Sequence, residues 1–526
     1  MAHSPKIFAR EATGLVRDFS WFDAFLISSA VVLPSVWSYS SQIAFVASAD
    51  PGADIVTSEH LGLLFTLPLA IVYVLMATGM PRSGGDYVWI TRLVNPIVGF
   101  MSGWGFWVAI IAIFGTEGVV FGSVIVPDTL AAFGYGLNNM SLINLSSTIV
   151  GSTSDIFALG LFLIAVSFLI TMLRPKIFTR VMAALFILIM AGTFASFFVL
   201  ASASHADFVN AVNGFAGTSL SYNGVISEAA ANGFKYVPIA TGITLLSTPL
   251  AVLLFNGQNY SAAAAGEVKN VRRSMVLAIV GSLIFAWVVN VIGTVLSLNL
   301  VGYPFIQASL ALGSKWPLVA PPWMPLFISM INHNIFVLTV VQLGWVLTFF
   351  WNLAAFLLVA TRYIFAFSFD RAFPTTFSKV SERVRNPINA TVLNFLLAIV
   401  FLGIATYTSF IGLFLNSVAI WSVVWFLASL SAVVLPYKKK DIAASLPGSR
   451  WSIPLVSLVG FISMILMAIN FYFSVTTPSI GPSTPQADLL LGVIFVSGLA
   501  VYSVNYFYQK SKGFDLKLVY SEIPPE

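Results

Sequence analysis

Long apolar runs separated by short polar stretches dominate the chain. They fall at about 21–49, 60–80, 96–126, 156–173, 178–203, 238–265, 274–298, 331–369, 388–409, 411–436, 452–474 and 487–508. Most are near or above the roughly 20 residues that a helix needs to cross a bilayer, so the pattern predicts about twelve transmembrane helices. In hydrocarbon every backbone N–H and C=O must be satisfied within the chain, and runs of this length do so as helices, not as the strands of a barrel. The fold class is therefore an all-α integral membrane bundle. The longest connections, at about 127–155, 204–237 and 299–330, are rich in Asn, Ser, Gly and Pro and read as covers or gates.

Charge orients the bundle. With the amino terminus inside, Arg82 and Arg92, then Arg174, Lys176 and Arg180, then Lys269, Arg272 and Arg273 all fall in cytoplasmic loops. Arg362, Arg371, Lys379, Arg383 and Arg385 follow, then Lys438, Lys439, Lys440 and Arg450, then Lys510, Lys512 and Lys517. Only Lys235 and Lys315 fall outside, and an extra or missing span would scramble this bias, which puts both termini in the cytoplasm. The first twenty residues carry Lys6, Arg10, Glu11, Arg17 and Asp18 without an apolar stretch, so the first run reads as a retained span and not a cleaved signal.

Composition agrees. Of 526 residues, 58% are hydrophobic and 9% charged, too apolar for a water-facing surface. The net charge of +5 follows from the loop lysines and arginines, and no nucleic-acid partner is implied. With no cysteine there is no disulfide, thiolate metal site or thiol catalysis. The four histidines (His3, His60, His205, His333) are scattered, which argues against an enzyme and gives no metal constellation. Neither a repeated pore motif nor a Gly-x-x-x-x-Gly-Lys loop occurs, which argues against a channel and against ATP-driven chemistry. Nothing in the sequence bears on oligomeric state.

Two runs are damaged as spans. The first reads Ile27-Ser28-Ser29-Ala30-Val31-Val32-Leu33-Pro34-Ser35, and the sixth reads Pro249 through Phe255-Asn256-Gly257-Gln258-Asn259-Tyr260. Proline removes a backbone donor and the amides bring polar groups to membrane depth, so unwound stretches lining a cavity are expected. One opens the first five spans and the other the second five, the pattern of an inverted repeat with a site near the midplane.

Three motifs carry a family resemblance. Met80-Pro81-Arg82-Ser83-Gly84-Gly85-Asp86-Tyr87 through Arg92, with Asn95-Pro96, Gly99-Phe100 and Gly103-Trp104, resembles the first cytoplasmic loop of the amino acid–polyamine–organocation permeases, in their prokaryotic amino acid permease form. Phe255-Asn256-Gly257 with Gly266-Glu267-Val268-Lys269-Asn270 and Arg273 resembles their broken sixth helix and the turn after it. Thr361-Arg362-Tyr363 through Asp370-Arg371 and Pro374 to Asn386-Pro387 is similar to their loop after span eight.

The resemblance implies a leucine-transporter-like fold of five plus five helices with two more added, which works by alternating access around helices 1 and 6. Residues 1–20 would be a cytoplasmic segment, 21–436 the ten-helix core (repeats 21–203 and 238–436), 452–508 the two accessory helices and 509–526 a cytoplasmic tail. By position, the substrate residues are Ser28, Ser29 and Ala30 on helix 1 and Phe255, Asn256, Gly257 and Gln258 on helix 6. The sequence departs from the family in having no glycine within residues 24–36 and no ionisable group between Val181 and Ser204, where some relatives carry a lysine.

Other residues stand out by chemistry. Glu117 is the one acidic residue placed clearly inside a run as drawn above; an intramembrane charge costs roughly 2.5–3.5 kcal/mol on insertion scales, so it reads as a proton carrier or ammonium partner, the bland alternative being a protonated side chain bonded to a neighbouring helix. Thr348 and Asn352 share a helix face and suit an ion or substrate lining, or helix-to-helix bonding. Asn290 fits such bonding better, and Trp421 and Trp425 fit core or lipid packing better than a pocket wall. Asp86, Arg92, Glu267 and Lys269 suit a salt-bridged cytoplasmic gate, or solvated helix ends. Amino acids or closely related amines are the expected substrates, with polyamines, nucleobases and other organic cations as alternatives; no cofactor is expected beyond a coupling H+ or Na+.

Overall fold

The computed structural model describes residues 15, 17–215, 220–408, 417–477 and 485–521. Most of the amino-terminal segment, the start of the tenth apolar run and the end of the tail lie outside these.

The chain begins with α1 (Trp21–Val32) and α2 (Val36–Ala49), then α3 (Ile55–Gly79) and the short α4 (Asp86–Leu93). Helix α5 (Pro96–Val120) runs through a π turn at Phe121–Ile125 into α6 (Val126–Gly136), and α7 (Met140–Val150), α8 (Thr153–Thr171) and α9 (Pro175–Ser202) follow. A connection bearing α10 (His205–Asn213) and α11 (Tyr222–Ala231) leads to α12 (Thr241–Leu246) and α13 (Thr248–Leu254). Next come α14 (Val271–Met275), a π turn at Val276–Val280, α15 (Gly281–Val301), α16 (Tyr303–Ala311) and α17 (Met324–Ile331). The rest is α18 (Ile335–Phe369), α19 (Ile388–Tyr407), α20 (Ser417–Lys438), α21 (Lys440–Ser445), α22 (Leu455–Thr476), α23 (Pro485–Ser511) and α24 (Leu516–Ser521).

Eleven stretches of the described residues are long and apolar enough to cross a membrane, with Trp21–Ala49 as one of them. The expected sixth span is the exception. After α13 it continues as turns and two 3₁₀ turns, Tyr260–Ala263 and Ala265–Glu267, so no single helix covers it. Arginine- and lysine-rich connections meet at one end, here the basic face: Arg92 contacts Asp370, Arg362 contacts Glu267, and Arg174 donates to the Arg383 carbonyl. Large apolar side chains such as Ile187, Phe194 and Phe198 of α9 point out of the bundle, as a lipid-facing surface requires. Helix α18 is the opposite case, buried along most of its length and packed on α1, α5, α8, α9 and α19.

Both breaks have local causes. Ser20 and Asp23 form a capping box that starts α1. The helix ends where Leu33 turns left-handed (φ 53°) and Pro34 offers no N–H to continue it. In the second broken segment Gly257 takes φ 102°, and a Cβ there would lie 2.1 Å from Cγ1 of Val31. The two breaks therefore touch, and only glycine fits the contact. Gly257→Ala should lower stability by about 1–3 kcal/mol through overpacking and backbone strain. Gly492→Ala, on an open helix surface with no atom within 4 Å, should not. Thermal unfolding of the two purified variants checks this, and equal midpoints would show that the contact does not constrain the fold.

Candidate functional site

A cavity of about 370 Å³ lies beside the two breaks. The carbonyl end of α1 (Val31, Val32, Leu33) and the end of α13 (Leu253, Leu254, then Asn256) border it, with Trp37 and Ser41 of α2 opposite. Helix α5 contributes Ile113, Thr116, Glu117 and Val120, α18 contributes Asn352 and Phe356, and α20 contributes Trp421. Toward the face away from the basic loops, Trp37, Phe45 and Trp323 close in. The Trp37 and Trp323 rings lie 5.2 Å apart and both meet Trp345.

Among the described residues that line this space Glu117 is the only ionisable one, and no described residue hydrogen-bonds to its carboxyl. The π turn begins four residues later and its first amide bonds both Glu117 and Gly118 carbonyls, a local widening of the helix of the kind that recurs at functional sites. Asn352 donates from Nδ2 to the Ala30 carbonyl at 3.0 Å, satisfying one of the groups that the end of α1 leaves open, while its Oδ1 has no partner among the described residues.

The structure thus brings Glu117, Asn256 and Asn352 together and moves other expected residues away. The expected unwinding at Ser28–Ala30 is corrected: α1 continues through all three and breaks at Leu33–Ser35. The Ser28 hydroxyl is already engaged with the Gln258 carbonyl (2.7 Å) and Ser261 Oγ (2.8 Å), bolting α1 to the second break below the cavity. Ser29 is buried within the helix. Phe255 does not line the cavity, because its ring packs against Gly62 of α3. Gln258 is buried without a side-chain partner among the described residues, and Thr348 donates to the Gly344 carbonyl of its own helix. Glu117 is also not alone: the spans extend further than the apolar runs suggested, and α3 carries buried Glu59, bonded by Thr294 Oγ1 at 2.6 Å, while α6 carries buried Asp128.

Below the cavity an aromatic floor separates it from the basic face. Tyr260 packs on Phe106 and Phe356, and Phe106 on Tyr363. The connection before α4 then lies against the second broken segment: the Gly84 amide donates to the Ala263 carbonyl at 2.9 Å. Two buried ion pairs complete the seal. Arg92 meets Asp370 with Nη1–Oδ2 at 2.7 Å and Nη2–Oδ1 at 2.8 Å. Arg362 grips Glu267 at 2.6 and 2.9 Å and reaches Asn386 Oδ1 at 2.9 Å.

Of the expected gate residues, Asp86, Arg92 and Glu267 are buried, but they do not pair with one another. Their partners Asp370 and Arg362 come from α18 and the turn after it, both inside the third sequence motif. Lys269 is exposed; its amide donates to the Phe19 carbonyl while the Phe19 amide donates to the Glu267 carbonyl, so the chain before α1 is laced to this turn. Asp86 accepts hydrogen bonds from Tyr73 and Tyr363. Burial pushes its carboxyl up to about 6, against the lowering effect of those hydroxyls. The tail closes over the seal, with the Arg92 guanidinium 5.0 Å from the Tyr520 ring and Arg371 4.1 Å from that of Phe514.

Two outcomes follow. Asp370→Asn leaves Arg92 buried without its counter-ion, a loss of about 3–5 kcal/mol for the closed arrangement. Because the chain has no cysteine, Ser261→Cys supplies a lone buried thiol; it should resist a membrane-impermeant maleimide from the basic face, and react once Asp370→Asn is added. The charge swap Arg92→Asp with Asp370→Arg should restore protection, and protection unchanged by Asp370→Asn would rule out a seal. Second, between the ordinary 3.8 and about 6 the folded chain keeps a proton on Asp86 that the unfolded chain has released, so stability falls as pH rises through that window. The unfolding midpoint should therefore drop from pH 4 to 6 more for the parent than for Asp86→Asn, and parallel profiles would contradict this.

A family model described as amino acid permease matches residues 19–496. The glutamate/serine transporter AimA of Bacillus subtilis (strain 168) is 22% identical over 406 residues, 74% of this chain and 66% of that transporter, so the chain spans just under two thirds of that relative's length. With the family match running from just before α1 into α23, the chain, a multi-pass integral protein of the cell membrane, belongs to the amino acid permease family.

Proposed function

We propose that this protein is a secondary transporter that binds an amino acid in the cavity beside Glu117 and carries it across the membrane by alternating access. The observation that carries the reading is a carboxylate without a hydrogen-bond partner among the described residues, facing a cavity where two helices break, closed toward the basic face by buried ion pairs. Family membership and the resemblance to a transporter of glutamate and serine support it. The accumulation of Lys and Arg makes the basic face cytoplasmic, and the conformation is then closed to the cytoplasm.

In this cycle the cavity's polar groups divide the work. Aligned peptide carbonyls at the ends of α1 and α13 carry partial negative charge and, with Glu117, favour the substrate ammonium. The first turn of α2, whose N-cap Ser35 makes no side-chain capping bond, offers amides to the carboxylate. Repeats 21–203 and 238–436 would supply the two moving halves, and separation of Arg92 from Asp370 and of Arg362 from Glu267 would open the cytoplasmic side. The driving force is a proton gradient acting at Glu117 or exchange of a second substrate. A polyamine fits less well, since a dication calls for a second carboxylate and the described lining residues supply one.

Reconstitution tests this. Proteoliposomes with an imposed proton or sodium gradient, or with preloaded substrate, should accumulate a radiolabelled amino acid. Glu117→Gln should cut that accumulation about tenfold or more, the scale of one charged hydrogen bond. Transport of no amino acid under any of these regimes would refute the function, and full accumulation by Glu117→Gln would remove Glu117 from it.

A further inference from the structure

The walls of the cavity carry more information than its charge. Away from Glu117, Asn256 and Asn352 and the hydroxyls of Ser41 and Thr116, the described lining is apolar: Ile113 and Val120 of α5 and Leu254 of α13 stand with the rings of Phe356, Trp421 and Trp37. No lysine, arginine or histidine reaches the space from any described residue lining it. Its volume, about 370 Å³, is that of about twelve liquid waters at roughly 30 Å³ each, far more than a hydroxymethyl side chain fills.

We infer that the site selects substrates combining an ammonium group with a bulky apolar, preferably aromatic, side chain, and that it rejects side chains bearing a second carboxylate. The inference rests on the transport reading above and specifies its substrate. A small polar side chain would leave most of this apolar wall in contact with water. A side-chain carboxylate would enter a low-dielectric space that already holds Glu117 and offers no cation to balance it. An aromatic ring can instead pack against Phe356 and Trp421 in the edge-to-face or offset contacts such rings prefer. Trp421 is itself braced, with Trp425 stacked 6.1 Å behind it.

The test uses the reconstituted full-length protein and two readouts. In proteoliposomes, phenylalanine, tryptophan and leucine should accumulate and should compete with one another. Serine should compete at least about tenfold more weakly, the scale of losing a few methylenes from an apolar pocket, and glutamate should not compete. Independently of transport, phenylalanine should raise the thermal midpoint of the purified protein and glutamate should not. Ile113→Trp, which fills part of the apolar wall and leaves Glu117 in place, should shift preference toward smaller side chains. Accumulation of serine or glutamate in preference to the bulky substrates would overturn this inference and leave the transport reading standing. Transport of no amino acid, with no midpoint shift by any, would overturn both.

Discussion

Lipid offers no hydrogen bonds, so any backbone freed from a helix at membrane depth must be satisfied by another part of the chain. That constraint shapes the centre of this protein. Where α1 ends, the Ala30 carbonyl receives a hydrogen bond from Asn352 of α18, and where the second broken segment unwinds, the Gln258 carbonyl receives one from Ser28 of α1. Each break is closed by a residue of another element, and Gly257 lets the two come into contact over Val31. The cavity lies where they leave room, which is why its polar groups and its broken helices coincide.

Helix α18 extends the same constraint to the basic face. Asn352 stands at the cavity, Arg362 ten residues further on grips Glu267, and Asp370 just past the helix end holds Arg92. At 1.5 Å per residue these points lie about 15 and 27 Å along the axis from Asn352, so one continuous buried helix links the first break to both ion pairs. Glu267 closes the second broken segment itself.

The spans were legible because apolar runs of helical length have one stable form in lipid, and the two breaks because Pro34 and Asn256-Gly257 sit badly in a continuous helix. The position of the first break was harder to read. Ser28, Ser29 and Ala30 look like an unwound stretch by composition, yet the Ser28 hydroxyl serves the neighbouring segment and the helix runs on to the residue before Leu33. Phe255 was misplaced for a related reason, since the groove at Gly62 that receives its ring is invisible one residue at a time. Glu59 and Asp128 fell at the margins of the runs as drawn, where helices continue past the most apolar core. Asp86, Arg92, Glu267 and Lys269 were recognisable as charges in the loops, but the ion-pair partners of Arg92 and Glu267 lie 278 and 95 residues away along the chain, and only the third motif, which contains both Arg362 and Asp370, hinted at them.

The use of ion pairs to close the basic face has a physical rationale of its own. A buried pair contributes little net stability compared with well-packed apolar groups, because each ion gives up its hydration, whereas removing one partner alone is costly. An apolar plug would stay shut, since opening it exposes hydrocarbon to water. A pair such as Arg92 with Asp370 differs: in the proposed cycle both ions would recover hydration when the elements separate, which would bring an open state closer in energy to the closed one. The aromatic floor of Tyr260, Phe106 and Tyr363 supplies apolar contact, and under the proposed cycle the ions beneath it would keep that contact from becoming permanent.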